Sequence, residues 1–247
     1  MTFEHGEKEL RRSGQNGLAD VVAGVRKTQR ADIPLPGQPG AETTGTIESL
    51  LSQERQALKR FFGREISIPN PPRALLEALR KAEEQGLDLE AHGLPPFSLK
   101  KDSKIKGWKV KPKEWFWQKI KEGKIDSEAA RIDGGWILVG TNRDGFGRSW
   151  DDVHEEDLPR LARMLRVENS QVRLLKAIEF NVLGNVFHPE WGQSHTWEWF
   201  EDNFGGGDRL VGGSSDDGGL ADVDDHWSDL QLGYVGFRPL VVFSPSA

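Results

Sequence analysis

The chain has 247 residues, a formal net charge of −6, no cysteine and a mean hydropathy of −0.59. This composition excludes disulfide bonds, thiol nucleophiles and thiolate metal sites, and no apolar run reaches the ~20 residues of a membrane-spanning helix. The N-terminus lacks the apolar stretch of a secretory signal, so we expect a cytoplasmic protein or one exported by a non-classical route.

The chain is predicted to begin with an arm and a helix that precede the main domain. Residues 1–45 are rich in Gly, Gln, Arg, Thr and Pro, which predicts a flexible N-terminal arm. Residues 46–66 are predicted to form an amphipathic helix, because their apolar residues follow helical spacing. All nine tryptophans lie at or beyond Trp108, so we expect the large core within a domain spanning residues 67–247.

The apolar pattern of the main domain predicts both helices and strands. The clearest strand is 134–140, a continuous apolar run bounded by glycines, and a shorter one is predicted at 106–110. Predicted helices cover residues 72–85, 113–121, 151–167 and 172–183. Aromatic clusters and Gly-Gly turns predict further strands near the C-terminus. The predicted fold class is therefore α+β.

Charge is concentrated in two segments of opposite sign. Lys100–Lys124 contains ten lysines and three acidic residues, a net charge of +7. Phe200–Val235 contains nine acidic residues and one arginine, a net charge of −8. Such segments can steer charged partners towards a protein, although they also occur as solvated faces without a function.

Four C-terminal motifs occur in a fixed order. They are Arg173-Leu174 with Glu179-Phe180, Trp197-Glu198-Trp199, Arg209-Leu210 with Gly212-Gly213-Ser214, and Gly236-Phe237-Arg238. Their order and spacing resemble the formylglycine-generating-enzyme (sulfatase-modifying) branch of the C-type lectin fold. The resemblance implies a C-type-lectin-like domain of antiparallel sheets with flanking helices. That family's oxidase chemistry depends on cysteines, so its activity cannot be carried over to this chain.

A non-catalytic group within this branch, the variable proteins of diversity-generating retroelements, is also similar to the chain. These proteins hold a C-terminal patch of hypervariable residues on a C-type lectin scaffold. In that family, reverse transcription rewrites template adenines, so Asn codons become codons for Asp, Ser, Gly, His, Tyr and others, but never for Trp or Gln. The interval from Ser215 to Tyr234 fits this set apart from Trp227 and Gln231, which we expect to be fixed.

The resemblance implies a hypervariable, ligand-binding region at about residues 200–235. The predicted ligand-binding positions are Asp202, Asn203, Asp208, Asp216, Asp217, Asp222, Asp224, Asp225, His226, Ser228, Asp229 and Tyr234. The predicted scaffold comprises Trp197, Trp199, Gly212, Gly213, Trp227, Gly236, Phe237 and Arg238. The implied function is non-catalytic binding of a macromolecular ligand, expected to be a protein and, given the acidic surface, a basic one.

Other functions stay open at this stage. One is an enzyme on the same fold, and another is nucleic-acid binding by residues 100–124, whose lysines alternate with aromatic side chains. That aromatic spacing also fits core anchors, which is the favoured interpretation. Ca²⁺ is the one cofactor considered, at Asp222, Asp224 and Asp225, although EF-hand spacing fails there. His188 and His195 lack a helix that would align them on zinc, which favours a structural role.

Overall fold

The structure, a computed structural model, describes residues 41–243, with side chains from residue 47 onward. The predicted flexible arm therefore lies outside the described residues as far as residue 40. Two compact units divide at Ser49 and Leu50. Helix α1 (Ala41–Phe62) begins before residue 46 and ends before residue 66, the predicted limits. Among the described residues, no helix combines the length and apolar composition that crossing a membrane requires.

The unit that begins at Leu50 contains both helices and strands. After α1, the elements are α2 (Arg73–Glu84), β1 (Leu89–Leu94), β2 (Phe97–Ser98), α3 (Glu114–Lys121), β3 (Arg131–Ile132), β4 (Gly135–Gly140), α4 (Trp150–Asp152), α5 (Leu158–Leu165), β5 (Val172–Leu174), α6 (Ala177–Val186), β6 (Trp197–Phe204), β7 (Asp208–Gly212), β8 (Val223–Trp227), β9 (Val235–Phe237) and β10 (Pro239–Phe243). The predicted combination of helices with antiparallel sheets is confirmed.

The first sheet has the strand order β1-β4-β10-β5, and its strands are all antiparallel. The predicted strand at residues 134–140 is β4, which lies between β1 and β10 and is buried along its whole length. Leu138 and Val139 are completely buried there. A continuous apolar run suits this position, because both faces of the strand are covered.

The second sheet has the order β8-β7-β6-β9. Strands β6, β7 and β8 are antiparallel neighbours, whereas β9 runs parallel to β6. Strands β8 and β9 therefore form opposite edges of this sheet. Residues 228–234 connect them and must cross the width of β7 and β6, roughly 14 Å at the usual strand spacing.

The strand predicted at residues 106–110 does not form. Its backbone N–H groups do not pair with a neighbouring strand. The Gly107 N–H donates to the carbonyl of Phe61 (2.6 Å), and other groups of the segment bind side chains. The Val110 N–H donates to Asn185 Oδ1 (3.0 Å), and the Trp108 indole donates to Asn181 Oδ1 (2.7 Å). Since both asparagines lie on α6, this segment is attached to the helix and has no strand partner.

Two predicted helices differ from the observed elements. Residues 172–183 begin with strand β5, whose Val172 pairs with Val241 of β10, and the helix α6 starts only at Ala177. A β-branched residue such as Val172 suits this sheet position, so the first residues of the predicted helix form a strand instead. The helix predicted at residues 151–167 ends earlier, at Leu165, and a π-helical turn at Val153–Asp157 separates α4 from α5.

Candidate binding surface

Strand β8 carries several of the predicted ligand-binding residues on a fixed backbone. Each of its five residues pairs with a residue of β7, from Val223 opposite Gly212 to Trp227 opposite Asp208. Val223 is buried, whereas Asp224 and Trp227 are exposed. The strand therefore displays side chains from a backbone that the sheet holds in register.

The connection from β8 to β9 is also fixed, by contacts with α4. The Ser228 hydroxyl donates to Asp151 Oδ2 (3.0 Å), and the Gln231 amide donates to Asp152 Oδ2 (3.0 Å). The carboxylate of Asp152 is in turn part of a capping box with Ser149 at the start of α4. Residues 228–234 therefore depend on a segment that lies far away in the sequence.

A buried cluster of charges supports the sheet beneath this surface. Glu198 is completely buried and accepts hydrogen bonds from Arg143 Nε (2.9 Å) and Arg238 Nη1 (2.6 Å) through the same carboxylate oxygen. The Arg143 guanidinium also donates to the carbonyl of Gly213 (3.1 Å). Arg238 stacks on the ring of Trp191, 4.2 Å from its centroid. The cluster therefore connects β6, which carries Glu198, to the segment between β4 and α4 through Arg143. It also connects β6 to the residue that follows β9, which is Arg238.

Most of the predicted scaffold residues are buried. Trp199 is completely buried, and its indole donates to the carbonyl of Arg148 (3.1 Å). A Cβ at Gly212 would lie 2.1 Å from the carbonyl oxygen of Asp222, so no side chain fits there. Gly213 has a φ of +90°, which disfavours other residues. Of the other predicted scaffold positions, Gly236, Phe237 and Arg238 are buried, whereas Trp197 is half-buried.

Trp227 differs from the other scaffold residues. Its side chain is 67 % exposed, so this predicted scaffold residue does not lie in the core. It is an aromatic residue on the surface. An exposed tryptophan at an edge strand offers a large apolar area to a ligand.

Ten of the twelve predicted ligand-binding residues reach solvent. Six are exposed: Asn203, Asp216, Asp217, Asp224, Asp229 and Tyr234. Four are half-buried: Asp208, Asp225, His226 and Ser228. These positions belong to β6, β7, β8 and the loops that follow Gly213 and Trp227, so they come from one sheet and its connections.

Asp202 is not part of the surface, contrary to the prediction. Its side chain is buried, and its Oδ2 accepts a hydrogen bond from the Ala177 N–H (2.6 Å) at the start of α6. Burial raises the pKa of Asp202 to about 7, although this hydrogen bond and nearby cations oppose the shift. The residue attaches β6 to α6 and is unsuited to variation.

Asp222 is also buried, which corrects its assignment to the surface and to a Ca²⁺ site. Its Oδ1 accepts from Lys113 Nζ (2.7 Å) and its Oδ2 from the Ser214 N–H (3.2 Å). Both carboxylate oxygens are therefore engaged within the protein. Burial raises the pKa of Asp222, and the ion pair with Lys113 opposes this effect.

The two oppositely charged segments lie next to each other. Lys113 of the basic segment pairs with Asp222 of the acidic one. Asp225 has a raised pKa because it is partly buried and because the carboxylates of Asp224 and Asp208 lie near it, with Lys119 acting in the opposite direction. The exposed carboxylates of the acidic segment are those of Asp224 on β8 and of Asp216, Asp217 and Asp229 in the loops on either side of it.

The aromatic side chains of residues 100–124 take part in internal packing. Trp108 is 4 % exposed and Phe116 is completely buried. Trp115 stacks on Phe204 of β6, with ring centroids 5.4 Å apart. These rings are not free to stack on nucleic-acid bases, which favours the interpretation as core anchors.

Ser214 does not have the environment of a nucleophile. Its side chain is 1 % exposed, and its hydroxyl makes no hydrogen bond with any of the described residues. A catalytic serine needs a neighbouring base and access for the substrate. The ring of His226 lies near two tryptophan rings, with centroids 5.9 Å from that of Trp197 and 6.4 Å from that of Trp199.

The sequence-based reasoning missed two contributors to this surface. Phe146 is 46 % exposed and lies beside residues 228–234, since the N–H of the neighbouring Gly147 donates to the Leu232 carbonyl (3.2 Å). It lies between two glycines, a pattern that could have marked an aromatic residue on a loop. Asp151 holds Ser228 in place, but no local pattern predicts a partner so distant in the chain.

Comparison of the chain with protein-family models, curated proteins and solved structures finds no match. The function is therefore inferred from the residues and geometry of the chain itself.

Proposed function

We propose that the chain is a non-catalytic binding protein whose ligand-binding surface is centred on strand β8 and residues 228–234 and extends to exposed positions on β6, on β7 and in the loop after Gly213. The observation that carries this proposal is the combination of a fixed backbone with exposed side chains. The backbone is held by the β7–β8 pairing, by the Asp151 N–H, which donates to the Ser228 carbonyl (3.3 Å) whatever side chain stands at 228, and by Asp152, which accepts from Gln231. Substitution of exposed side chains typically changes stability by less than about 0.5 kcal/mol, so such positions can vary without loss of the fold.

The exposed side chains favour a protein ligand with basic groups. Trp227 is 67 % exposed and Tyr234 is 49 % exposed, and these residue types dominate binding energy at protein interfaces. Asp224 and Asp229 add exposed negative charge to the same strand and loop. Aromatic anchors with an acidic rim suit a partner that presents lysine or arginine around an apolar patch.

We further propose that the domain is C-type-lectin-like and that a retroelement diversifies this surface. The C-terminal motifs support this proposal. So do Trp227 and Gln231, the two residues between Ser215 and Tyr234 whose codons cannot arise when template adenines are rewritten. Gln231 donates a hydrogen bond to Asp152, and Trp227 offers an exposed aromatic ring, so each has a role that suits a fixed residue. The proposed variable set excludes the buried Asp202 and Asp222. It comprises Asn203, Asp208, Asp216, Asp217, Asp224, Asp225, His226, Ser228, Asp229 and Tyr234.

A displayed library tests the proposed surface. With Asp216, Asp224, Asp229 and Tyr234 randomised, we expect most clones to fold and some to bind a basic protein such as cytochrome c. Because exposed charges are screened by salt, binding should weaken strongly between about 0.05 M and about 0.5 M NaCl. The measurement is binding of folded clones to immobilised cytochrome c at both salt concentrations.

The matched control is a library with four exposed positions on α2 randomised: Ala74, Glu77, Arg80 and Glu83. It should fold equally well and yield fewer binders. Equal numbers of binders from both libraries, or mostly unfolded clones from the first, would contradict the proposed function.

A further inference from the structure

Three side chains meet beside β1, an edge strand of the first sheet, and none of them belongs to the proposed binding surface. Glu90 and His92 lie on β1, and His188 follows α6. His92 Nε2 lies 3.1 Å from His188 Nε2. Glu90 Oε2 lies 3.8 Å from His92 Nε2 and 3.5 Å from His188 Nε2. Among the described residues, this is the group of three whose ligand atoms come within coordination range of one another.

The spacing of these atoms matches the coordination sphere of a small divalent ion. For separations of 3.1, 3.5 and 3.8 Å, the equidistant point lies about 2.0 Å from each atom. Zinc binds imidazole nitrogen and carboxylate oxygen at about 2.0–2.2 Å. We propose that Glu90, His92 and His188 form a zinc-type metal site, binding the ion through Glu90 Oε2 and the two Nε2 atoms.

The remaining ring nitrogens support this assignment. His92 Nδ1 donates to Glu54 Oε1 (3.2 Å), and His188 Nδ1 donates to Glu190 Oε1 (3.2 Å). With Nδ1 engaged in this way, the Nε2 atom of each ring is the one left to bind a metal ion. Carboxylates that orient histidine ligands through Nδ1–H are typical of metal sites in proteins.

The surroundings hold the ligands in place. Glu54 is a buried carboxylate on α1, and its second oxygen accepts from the Gly93 N–H (3.1 Å). The His92 ring stacks on Phe187 at 4.1 Å, and the His188 ring stacks on Trp191 at 4.3 Å. A buried carboxylate is costly without strong partners, and orienting a metal ligand gives Glu54 such a role.

The donor set indicates the class of ion. Two imidazoles with one carboxylate suit Zn²⁺ and other divalent transition ions, whereas Mg²⁺ and Ca²⁺ prefer oxygen ligands alone. Glu90 is the most exposed of the three ligands, so a fourth position can be taken by water on its side. Because the ligands and their carboxylate partners come from α1, β1 and the segment after α6, the ion would cross-link these elements.

The test uses the full-length chain after treatment with a chelator. We expect Zn²⁺ to bind at one ion per chain by calorimetry and elemental analysis, and to raise the unfolding temperature. Co²⁺ should give the intense visible absorption of a four-coordinate site, whereas Mg²⁺ should not bind. His92→Gln and His188→Gln should abolish stoichiometric binding, and Glu190→Gln should weaken it by about 10–100-fold.

His195→Gln is the matched control, because this histidine is 79 % exposed and lies outside the group. It should bind Zn²⁺ as the unsubstituted chain does. The proposal is overturned if the unsubstituted chain binds no stoichiometric Zn²⁺ and shows no Co²⁺ spectrum. It is equally overturned if folded His92→Gln and His188→Gln variants bind as tightly as the control. Should these variants fail to fold, the Co²⁺ spectrum of the unsubstituted chain decides.

Discussion

Replacement of Glu198 by alanine is expected to lower the free energy of unfolding by about 3–5 kcal/mol. The carboxylate is completely buried, and both Arg143 and Arg238 donate to it. Its removal leaves two buried guanidinium groups without their counter-charge, and neither can lose its proton to escape the cost. Urea unfolding of the Glu198→Ala variant measures the effect.

The control for this prediction is Glu155→Ala, which removes an exposed carboxylate and should change stability by less than about 0.5 kcal/mol. A loss below about 1 kcal/mol in Glu198→Ala would show that water or rearranged side chains satisfy both arginines. The cluster would then not be what holds β6 beneath the binding surface.

Replacement of Asp202 by asparagine is expected to stabilise the protein increasingly as the pH rises. The pKa of Asp202 is raised from an ordinary value of 3.8 to about 7, mainly by burial. Between these values the unfolded chain releases the proton while the folded chain keeps it. The stability that this group contributes is therefore complete below pH ~4 and is lost as the pH approaches ~7.

Asparagine avoids this loss, because it does not ionise and can still accept the hydrogen bond from the Ala177 N–H. The stability difference between Asp202→Asn and the unsubstituted chain should grow from near zero at pH ~4 to at most about 4 kcal/mol at pH ~8. Urea unfolding at several pH values measures it. Glu90 and Asp222 also have raised pKa values, so the difference between the two proteins isolates Asp202.

The exposed Asp229→Asn variant is the control and should show no such pH dependence. A difference for Asp202→Asn that stayed constant with pH would contradict the prediction. A variant less stable than the unsubstituted chain at pH ~8 would indicate an ionised Asp202 that stabilises the start of α6.

Local sequence patterns predicted the elements whose structure depends mainly on their own residues. The apolar run of β4 and the helical spacing of α2 correspond to the observed elements, with limits that differ by few residues. The aromatic motifs likewise predicted buried anchors such as Trp199 and Phe237. In these cases the residues that form an element also carry the signal for it.

Contacts between distant residues explain what the sequence did not predict. Asp222 is buried because Lys113, 109 positions away, neutralises it, and no local pattern distinguishes it from the exposed Asp224. The proposed metal site has one local sign, since Glu90 and His92 are two residues apart and face the same side of a strand. Their partner His188 lies 96 positions beyond His92.

The ring of Trp191 connects the two buried polar clusters. It stacks on His188 of the proposed metal site and on Arg238 of the Glu198 cluster. Packing of an aromatic ring against both groups restricts their side-chain freedom. The framework beneath the proposed binding surface therefore combines aromatic packing with buried charge, and both belong to positions that we expect to be invariant.

The central claim is that the exposed side chains vary on a fixed scaffold, and sequencing this gene in sibling isolates tests it most directly. We predict that amino-acid changes concentrate at the ten proposed variable positions, while Asp202, Asp222, Gln231 and the buried tryptophans stay unchanged. Changes spread evenly over the exposed surface, or found at the buried positions as often as at Asp224 and Tyr234, would contradict the claim.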